Sequence, residues 1–438
     1  MFKTLRNALK IADIRKKLIF TFLMLIIVRF GSQLPIPGVN RDYFAAWFAQ
    51  QTGDAFNFFD AFTGGSFTSL SLFALGITPY ITSSIIMQLL TIAIPKLEEM
   101  QKDGEDGRKK IQTMSRYLTV ALALIQASAM TIGFGNQGLL QEVSVWNGIT
   151  VVAAMTAGSA ILMWIGEQIT AHGVGNGISI VLLINIVSSI PNDFITLYDQ
   201  FIKGETILKG VLAAVIIIAV VLLTVVFVNI LQGGERRIPV QYAKKMQGRK
   251  MVGGQSTNIP LKVNTAGVIP VIFASSLMSF PGVIASLLGK TGGTGIGSKI
   301  LTALNQSSWC NPSQPVYSLG LLLYIVLVVF FAYFYTSITF NPIEISNNMK
   351  RQGGFIPGIR PGKPTTEYLS KILNRIVFIG AVGLIIVCII PIVFNGFFGA
   401  NVSFGGTSII IIVGVVLETI KQIESQMLVR NYKGFLND

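Results

Sequence analysis

Ten mostly apolar runs, nine of them roughly 17 to 25 residues long, recur along a chain of 438 residues. No other feature limits the fold as strongly. Lipid offers no partner for a backbone N–H or C=O, so a run of that length can cross a bilayer only as a helix, whose backbone bonds close within the segment. The predicted spans are 18–34, 70–93, 117–134, 148–168, 178–190, 208–231, 266–288, 317–338, 376–394 and 405–423, the fifth being short and flanked by glycine. Lys3, Arg6, Lys10, Arg15, Lys16 and Lys17 precede the first run, and no small-x-small cleavage pattern follows it, so that run is expected to stay as a span rather than be removed. Only 12% of residues are charged against 51% hydrophobic. A soluble chain carries about 25% charged residues, so a soluble enzyme and a disordered, collagen-like or coiled-coil chain are excluded. The expected class is an all-α integral membrane protein with ten transmembrane helices.

The 34 Lys and Arg outnumber the 20 Asp and Glu, for a net charge of +14. They are not spread evenly. With these spans, 26 of the basic residues fall on one side, 4 fall on the other, and Arg29, Lys209, Arg375 and Lys421 lie within or beside spans. The positive-inside rule then places both termini in the cytoplasm. Two loops on that side, 232–264 and 339–371, are basic, punctuated by Gly and Pro, and far longer than a tight connection needs. Loops of this kind are suited to docking a partner, and a ribosome could use them.

The sequence Gly76-Ile77-Thr78-Pro79-Tyr80-Ile81, with Ser84, recurs as Gly267-Val268-Ile269-Pro270-Val271-Ile272, with Ser275. Each copy sits in the second span of a set of five. Five is odd, so the second set must begin on the opposite side of the membrane from the first. That is an inverted repeat, an arrangement that puts a pathway between the halves, here 1–200 and 201–438.

Catalytic chemistry finds little support. Cys310 and Cys388 lie in a loop and an apolar run, without disulfide or metal-ligand spacing, and His172 is the single histidine. Gly289-Lys290-Thr291 lacks the upstream glycine of a phosphate loop. Gly133, Gly135 and Gly138 match a dinucleotide fingerprint without its strand. No catalytic residue, metal site or cofactor is expected. An inverted repeat also suits a secondary transporter, the main alternative, and a membrane-embedded assembly scaffold is a third reading. A coupled carrier usually keeps acidic or histidine side chains near the bilayer midplane. Here Glu167 and Glu418 lie near span ends, with the other acids in loops or termini, whereas the middles of spans two, five, seven and ten are aliphatic. An apolar waist without a titratable group suits a channel that closes by excluding water.

Gly76 to Ser84 running into Gln88-Leu89-Leu90, Gly175-Asn176-Gly177-Ile178-Ser179, Gln255-Ser256-Thr257 with Pro260 to Asn264, and Phe355 to Gly362 together resemble the bacterial SecY family, the central channel subunits of the protein-translocation complex. The resemblance runs from the basic N-terminal segment through span ten. It implies a clamshell of two five-helix halves in the bacterial plasma membrane. Unfolded secretory chains would pass outward, and transmembrane segments would be released sideways into lipid. It also implies partners: subunits resembling SecE and SecG, the SecA motor ATPase, the ribosome, signal sequences and nascent chains.

The site residues follow from the same resemblance. The pore ring would be Ile81, Ile85, Leu182, Ile186, Ile272 and Ile411, with Leu182 standing where isoleucine is common. The plug, a short helix in the outer funnel, would be Ala61, Phe62, Thr63, Gly64, Gly65, Ser66, Phe67, Thr68, Ser69, Leu70, Ser71 and Leu72. A lateral gate between spans two and seven would contain Pro79, Ser84, Ile86, Pro270, Ser275, Ser276 and Phe280. Cytoplasmic contacts for the motor or ribosome would be Arg360 and Lys363, with Lys244, Lys245, Arg249 and Lys250 at a second tip.

Overall fold

The computed structural model describes residues 6, 8–41, 43, 44, 60, 63–135, 144–203, 207–242, 245–247, 250–252, 256–287, 296–304, 308–310, 315–398 and 406–434. A helix occupies each of the apolar runs. In chain order the helices are α1 (Ala12–Gly31), α2 (Thr78–Ala93), α3 (Pro95–Lys102), α4 (Glu105–Phe134), α5 (Val145–His172), α6 (Gly177–Phe201), α7 (Ile207–Gly233), α8 (Ile269–Leu287), α9 (Ile296–Leu304), α10 (Leu319–Thr339), α11 (Pro342–Arg351), α12 (Lys363–Phe398) and α13 (Gly406–Gly434). Among the described residues, six helical segments are long and apolar enough to cross a membrane, or seven if α2 and α3, bent by 107° at their junction, count as one span. The protein is therefore a multi-pass membrane protein, mostly helical.

Several helices depart from their predicted ends, for local reasons. The second span was expected from residue 70, but α2 begins at Thr78 after a run of turns. Helix α6 continues past the expected stop at 190, through Pro191, to Phe201. Its start follows from Asn176, whose side-chain oxygen accepts from the backbone N–H groups of Ile178 and Ser179, a helix N-cap. Asn341 caps α11 in the same way, with Pro342 at the first helical position.

The two copies of the repeated motif fold alike. Gly76 and Gly267 both take positive φ, 59° and 65°, a conformation glycine adopts without a Cβ penalty. Two residues later a helix begins with proline in second place, α2 with Pro79 and α8 with Pro270. Ile81 and Ile272 donate to the carbonyls of Ile77 and Val268. Each glycine carbonyl also accepts from a side chain, from Ser159 at 3.2 Å and from Asn264 at 2.9 Å.

The three largest apolar clusters lie in the helical body. One joins α7, α8, α10, α12 and α13 around Tyr324, Leu384 and Cys388. A second gathers Val28, Leu162, Ile165, Ile169, Val181 and Ile411. A third wraps Phe67 and Leu70 with Met130 and Met155. Outward faces remain aliphatic: Phe22, Leu23, Ile26 and Phe30 on α1 and Leu222 and Leu223 on α7 are exposed, as a lipid-facing surface requires. Lipid is as apolar as a leucine, so helix association depends on close fit and polar contacts. Ser83 supplies one such contact, donating to the Ser115 carbonyl at 2.6 Å and tying α2 to α4.

The long loops are not wholly irregular, contrary to the all-α expectation. The first forms β1 (Glu235–Tyr242), β2 (Lys245–Gln247), β3 (Lys250–Val252) and β4 (Ser256–Lys262); the second contributes β5 (Gly354–Phe355). Strand β1 pairs antiparallel with β4, Ile238 opposite Ile259, and with β5, Gln241 opposite Phe355. Ile238, Val240 and Leu261 turn inward onto Met349, Ile356, Leu369 and Ile372 of the second loop and α12. Two loops whose paired strands lie more than 100 residues apart in the chain thus make one packed unit.

Candidate functional site

Five of the six expected ring residues meet in the second cluster. Leu182, Ile186 and Ile411 are buried, and Ile81 and Ile272 are half-buried against them. They come from α2, α6, α8 and α13, so both parts of the repeat contribute. Ile85, one turn further along α2, is half-buried outside that cluster. Branched carbons present no lone pair and no proton, so a constriction made of them can neither hold an ion nor shuttle a proton. It can close by excluding water and yield to a passing chain.

Leu72 and Phe73 reach the same cluster from the segment that precedes α2. Within that segment Asp60 and Thr63 are helical and Gly64 to Leu72 run on mainly as turns, with Gly64, Gly65 and Leu70 all at positive φ and Ser71 bridged to Pro35; Ala61 and Phe62 lie outside the described residues. The segment is held by its polar groups. Leu72 N–H donates to the Leu34 carbonyl at 2.9 Å and Arg41 Nε to the Ser69 carbonyl at 2.7 Å. Arg29 Nη1 donates to the Gly64 carbonyl at 3.3 Å, and Ser69 Oγ donates to the Gly65 carbonyl at 2.7 Å. Ser66, Ser71 and Thr63 are buried.

Asp60, assigned to a loop by sequence, is folded into this segment. Its carboxylate accepts from Thr68 N–H at 3.0 Å and Thr68 Oγ1 at 3.1 Å. Burial pushes its carboxyl above the ordinary value; the Thr68 hydrogen bonds oppose the rise, and the charge of Asp193 adds to it. Asp193, beyond Pro191 on α6, is itself buried. Two acids expected in water therefore sit inside, at the end of the bundle where α1 finishes.

The residues expected at the seam lie on α2 and α8. Pro79 and Pro270 are buried at their helix starts, Ser84, Ile86 and Ser276 are half-buried, and Phe280 lies in α8. Ser275 reaches α10. It is fully buried with its Oγ 3.4 Å from the Tyr324 hydroxyl of α10, because a tyrosine O–H enclosed by aliphatic side chains needs a polar partner. Contacts between the two parts of the repeat run from α8 to α4, from α13 to α6 and from α7 to α6.

Arg360 and Lys363 are exposed at a braced tip of the loop unit. Thr365 Oγ1 donates to the Arg360 carbonyl at 2.9 Å, and Ser346 Oγ to the Gly362 carbonyl at 3.0 Å, fixing the backbone on both sides. Lys245 and Lys250 fall on the β2–β3 hairpin, and Lys244 and Arg249 lie outside the described residues. Arg29, Asp60 and Asp193 were missed as site residues. The available signal was a single arginine inside the first apolar run.

The sequence model of SecY matches residues 71–420. The chain is 44% identical to the protein translocase subunit SecY of Halalkalibacterium halodurans over 443 aligned positions, and 43% identical to that of Bacillus subtilis; each alignment covers the whole of both chains. Among solved structures, one described as a protein-conducting channel aligns with a TM-score of 0.64 at 19% identity, covering 95% of this chain and 93% of the other. Sec61 in a canine ribosome–channel complex aligns with 0.61 at 18%, with the same coverage. A further structure at 0.64 and 19%, again covering 95% and 93%, is described by its plug domain, which stabilises the closed state of the channel. The backbone is thus the fold of these channels, and full-length identity above 40% to curated relatives, with a family match over 350 residues, carries the conclusion that the chain belongs to the SecY family.

Proposed function

We propose that the protein is the channel subunit of a bacterial protein translocase, passing unfolded secretory chains across the plasma membrane and releasing transmembrane segments laterally. The observation that carries this reading is the aliphatic cluster drawn from four helices of both repeats and met by Leu72 and Phe73 from a polar, turn-built segment. In this reading the protein has ten spans in two halves with both termini in the cytoplasm. The cluster is the waist of the pore, and residues 61–72 are the plug. The loop unit with Arg360 and Lys363 faces the cytoplasm, where SecA and the ribosome dock. SecE-like and SecG-like subunits bind the flanks. Relatives of the same fold are described on ribosomes, Sec61 in a canine complex and the yeast Ssh1 complex on the 80S ribosome, which supports a ribosome as partner.

Lateral release is tested by tying α8 to α2. With Cys310 and Cys388 replaced, cysteines at Ile86 and Phe280 joined by a short bifunctional reagent are expected to stop both signal-helix insertion and secretion. A long reagent is expected to restore secretion, and the reagent is needed because cysteines whose Cα atoms lie more than about 7 Å apart cannot bridge directly. Normal insertion by the short-tied protein would place the exit elsewhere.

The plug makes a pH-dependent seal. When residues 61–72 leave, Asp60, just before them, loses its Thr68 partner and its cover, and its carboxyl returns from the raised value toward the ordinary 3.8. The closed state therefore binds the proton more tightly. Its extra stability is fully present below 3.8 and is lost as pH rises through the raised value. Resting ion leak of reconstituted vesicles is expected to fall as the outer pH is lowered from neutral toward 4, and Asp60→Asn should flatten most of that dependence. Arg41, bonded to the Ser69 carbonyl, Arg29 on α1 and Asp193 on α6 are the charged groups that face the segment, and any slope left in the variant belongs to them. An unchanged slope in Asp60→Asn would contradict the assignment.

A further inference from the structure

Arg29 is a charge in a span, and the pore, the seam and the cytoplasmic loops make no use of it. A cation placed there costs free energy unless it faces a polar partner, and such residues are seldom without a role. The exposed face of α1 is Phe22, Leu23, Ile26, Ile27 and Phe30, whereas Arg29 is half-buried and reaches the Gly64 carbonyl at 3.3 Å. The same carbonyl lies 3.5 Å from Ser188 Oγ of α6, whose main bond is to the Asn185 carbonyl at 2.6 Å.

Gly64 is seated so closely that no side chain fits. A Cβ built there would lie 2.7 Å from Ser188 Oγ, 2.8 Å from Arg29 Nη1 and 2.8 Å from the Asn185 carbonyl oxygen, and φ is +66°. Two independent features, a span arginine and a glycine-only tip, converge on one carbonyl.

We propose that Arg29 is the latch of the channel, a positioning residue whose bond to the Gly64 carbonyl seats the plug tip against α6 and sets the threshold for opening. This rests on reading residues 61–72 as the plug. Gating then begins when a chain entering the waist displaces Leu72 and Phe73, which pull on the same segment; Arg41 holds that segment at Ser69, and the Arg29 bond at the Gly64 tip yields last. A planar donor fork suits this task, since it can keep its bond while the carbonyl shifts. The competing account is that Arg29 in the last turn of α1 merely offsets the helix dipole.

The test uses the complete translocase reconstituted in vesicles, with resting ion leak as the readout. A hydrogen bond to a charged group corresponds to a change of about tenfold to a hundredfold. Arg29→Met is expected to raise the leak by that factor, and Arg29→Lys, which keeps one donor, by less. Gly64→Ala approaches the contact from the other side and is expected to raise it likewise, which keeps the proposal testable if the arginine variant fails to accumulate. In a chain lacking residues 61–72, Arg29→Met should add nothing to the leak that the deletion causes, whereas a dipole role acts with or without the plug. Three results would overturn the latch. If the deletion raises the leak and Arg29→Met and Gly64→Ala do not, the plug stands and the latch falls. If Arg29→Met adds to the deletion, Arg29 acts through α1 itself. If the deletion changes nothing, the plug reading fails and the latch with it.

Discussion

Ile272→Asn is expected to raise the resting ion conductance of the reconstituted channel by about tenfold or more and to relax its demand for a strongly apolar signal sequence. Ile272 packs against the buried cluster that holds Leu182, Ile186 and Ile411, as Ile81 does, and these side chains are all aliphatic. An amide in such a place has no partner. Leaving it dry costs roughly 2 kcal/mol or more, so water enters to satisfy it, and one hydrated position opens a path for ions. Ile81 and Ile85 both changed to Ser should act in the same direction. Because Ile85 stands outside the cluster, the Ile81 half of that pair should carry most of the effect. Single-channel recording at rest measures both; parental conductance in both variants would remove these side chains from the waist.

Arg360→Glu is expected to cripple motor-driven export, by on the order of 30-fold, a loss in the range found when a central arginine of an interface is removed. The side chain is exposed while its backbone is pinned by Thr365 and the adjoining Ser346–Gly362 bond. The guanidinium is thus presented on a rigid base, so little ordering cost is added on docking. An exposed charge reversal moves stability by about 0.5 kcal/mol or less, so the variant should accumulate normally. Export into vesicles at matched protein level measures the effect. Equal rates for variant and parent would remove Arg360 from the motor contact.

What the sequence discloses depends on how local the cause is. Apolar runs mark helices because the rule is one of composition over about 20 residues, and the repeated Gly-x-x-Pro motif marks two helix starts because φ at Gly76 and Gly267 and the proline at second place are local constraints. The sheet was not legible. Its inward face rests on Ile238, Val240 and Leu261 among many basic residues, and its third strand, Gly354–Phe355, arrives from the other loop. Ser275 matched its repeat partner by letter, but its surroundings are set by Tyr324, which lies 49 residues on. Asp60 read as a solvated loop acid because nothing in the adjoining residues announces that Asp193, far along the chain, comes beside it. The aliphatic cluster occupies a middle position: residue type and helical spacing suggest candidates, and assembly of four helices brings five of them together.

The central claim is that polypeptide passes through the aliphatic cluster between the two parts of the repeat. A secretory chain stalled in mid-transit, bearing one cysteine in the stalled region, tests it directly. In channels without Cys310 and Cys388, a cysteine at Ile81, Leu182, Ile272 or Ile411 should form a disulfide with the stalled chain, each from a different side of it. A cysteine at Leu223, exposed on the outward face of α7, should form none. Bonding from all four cluster positions and not from Leu223 is the result expected of a pore at this place; bonding from Leu223, or from none of the four, would contradict it.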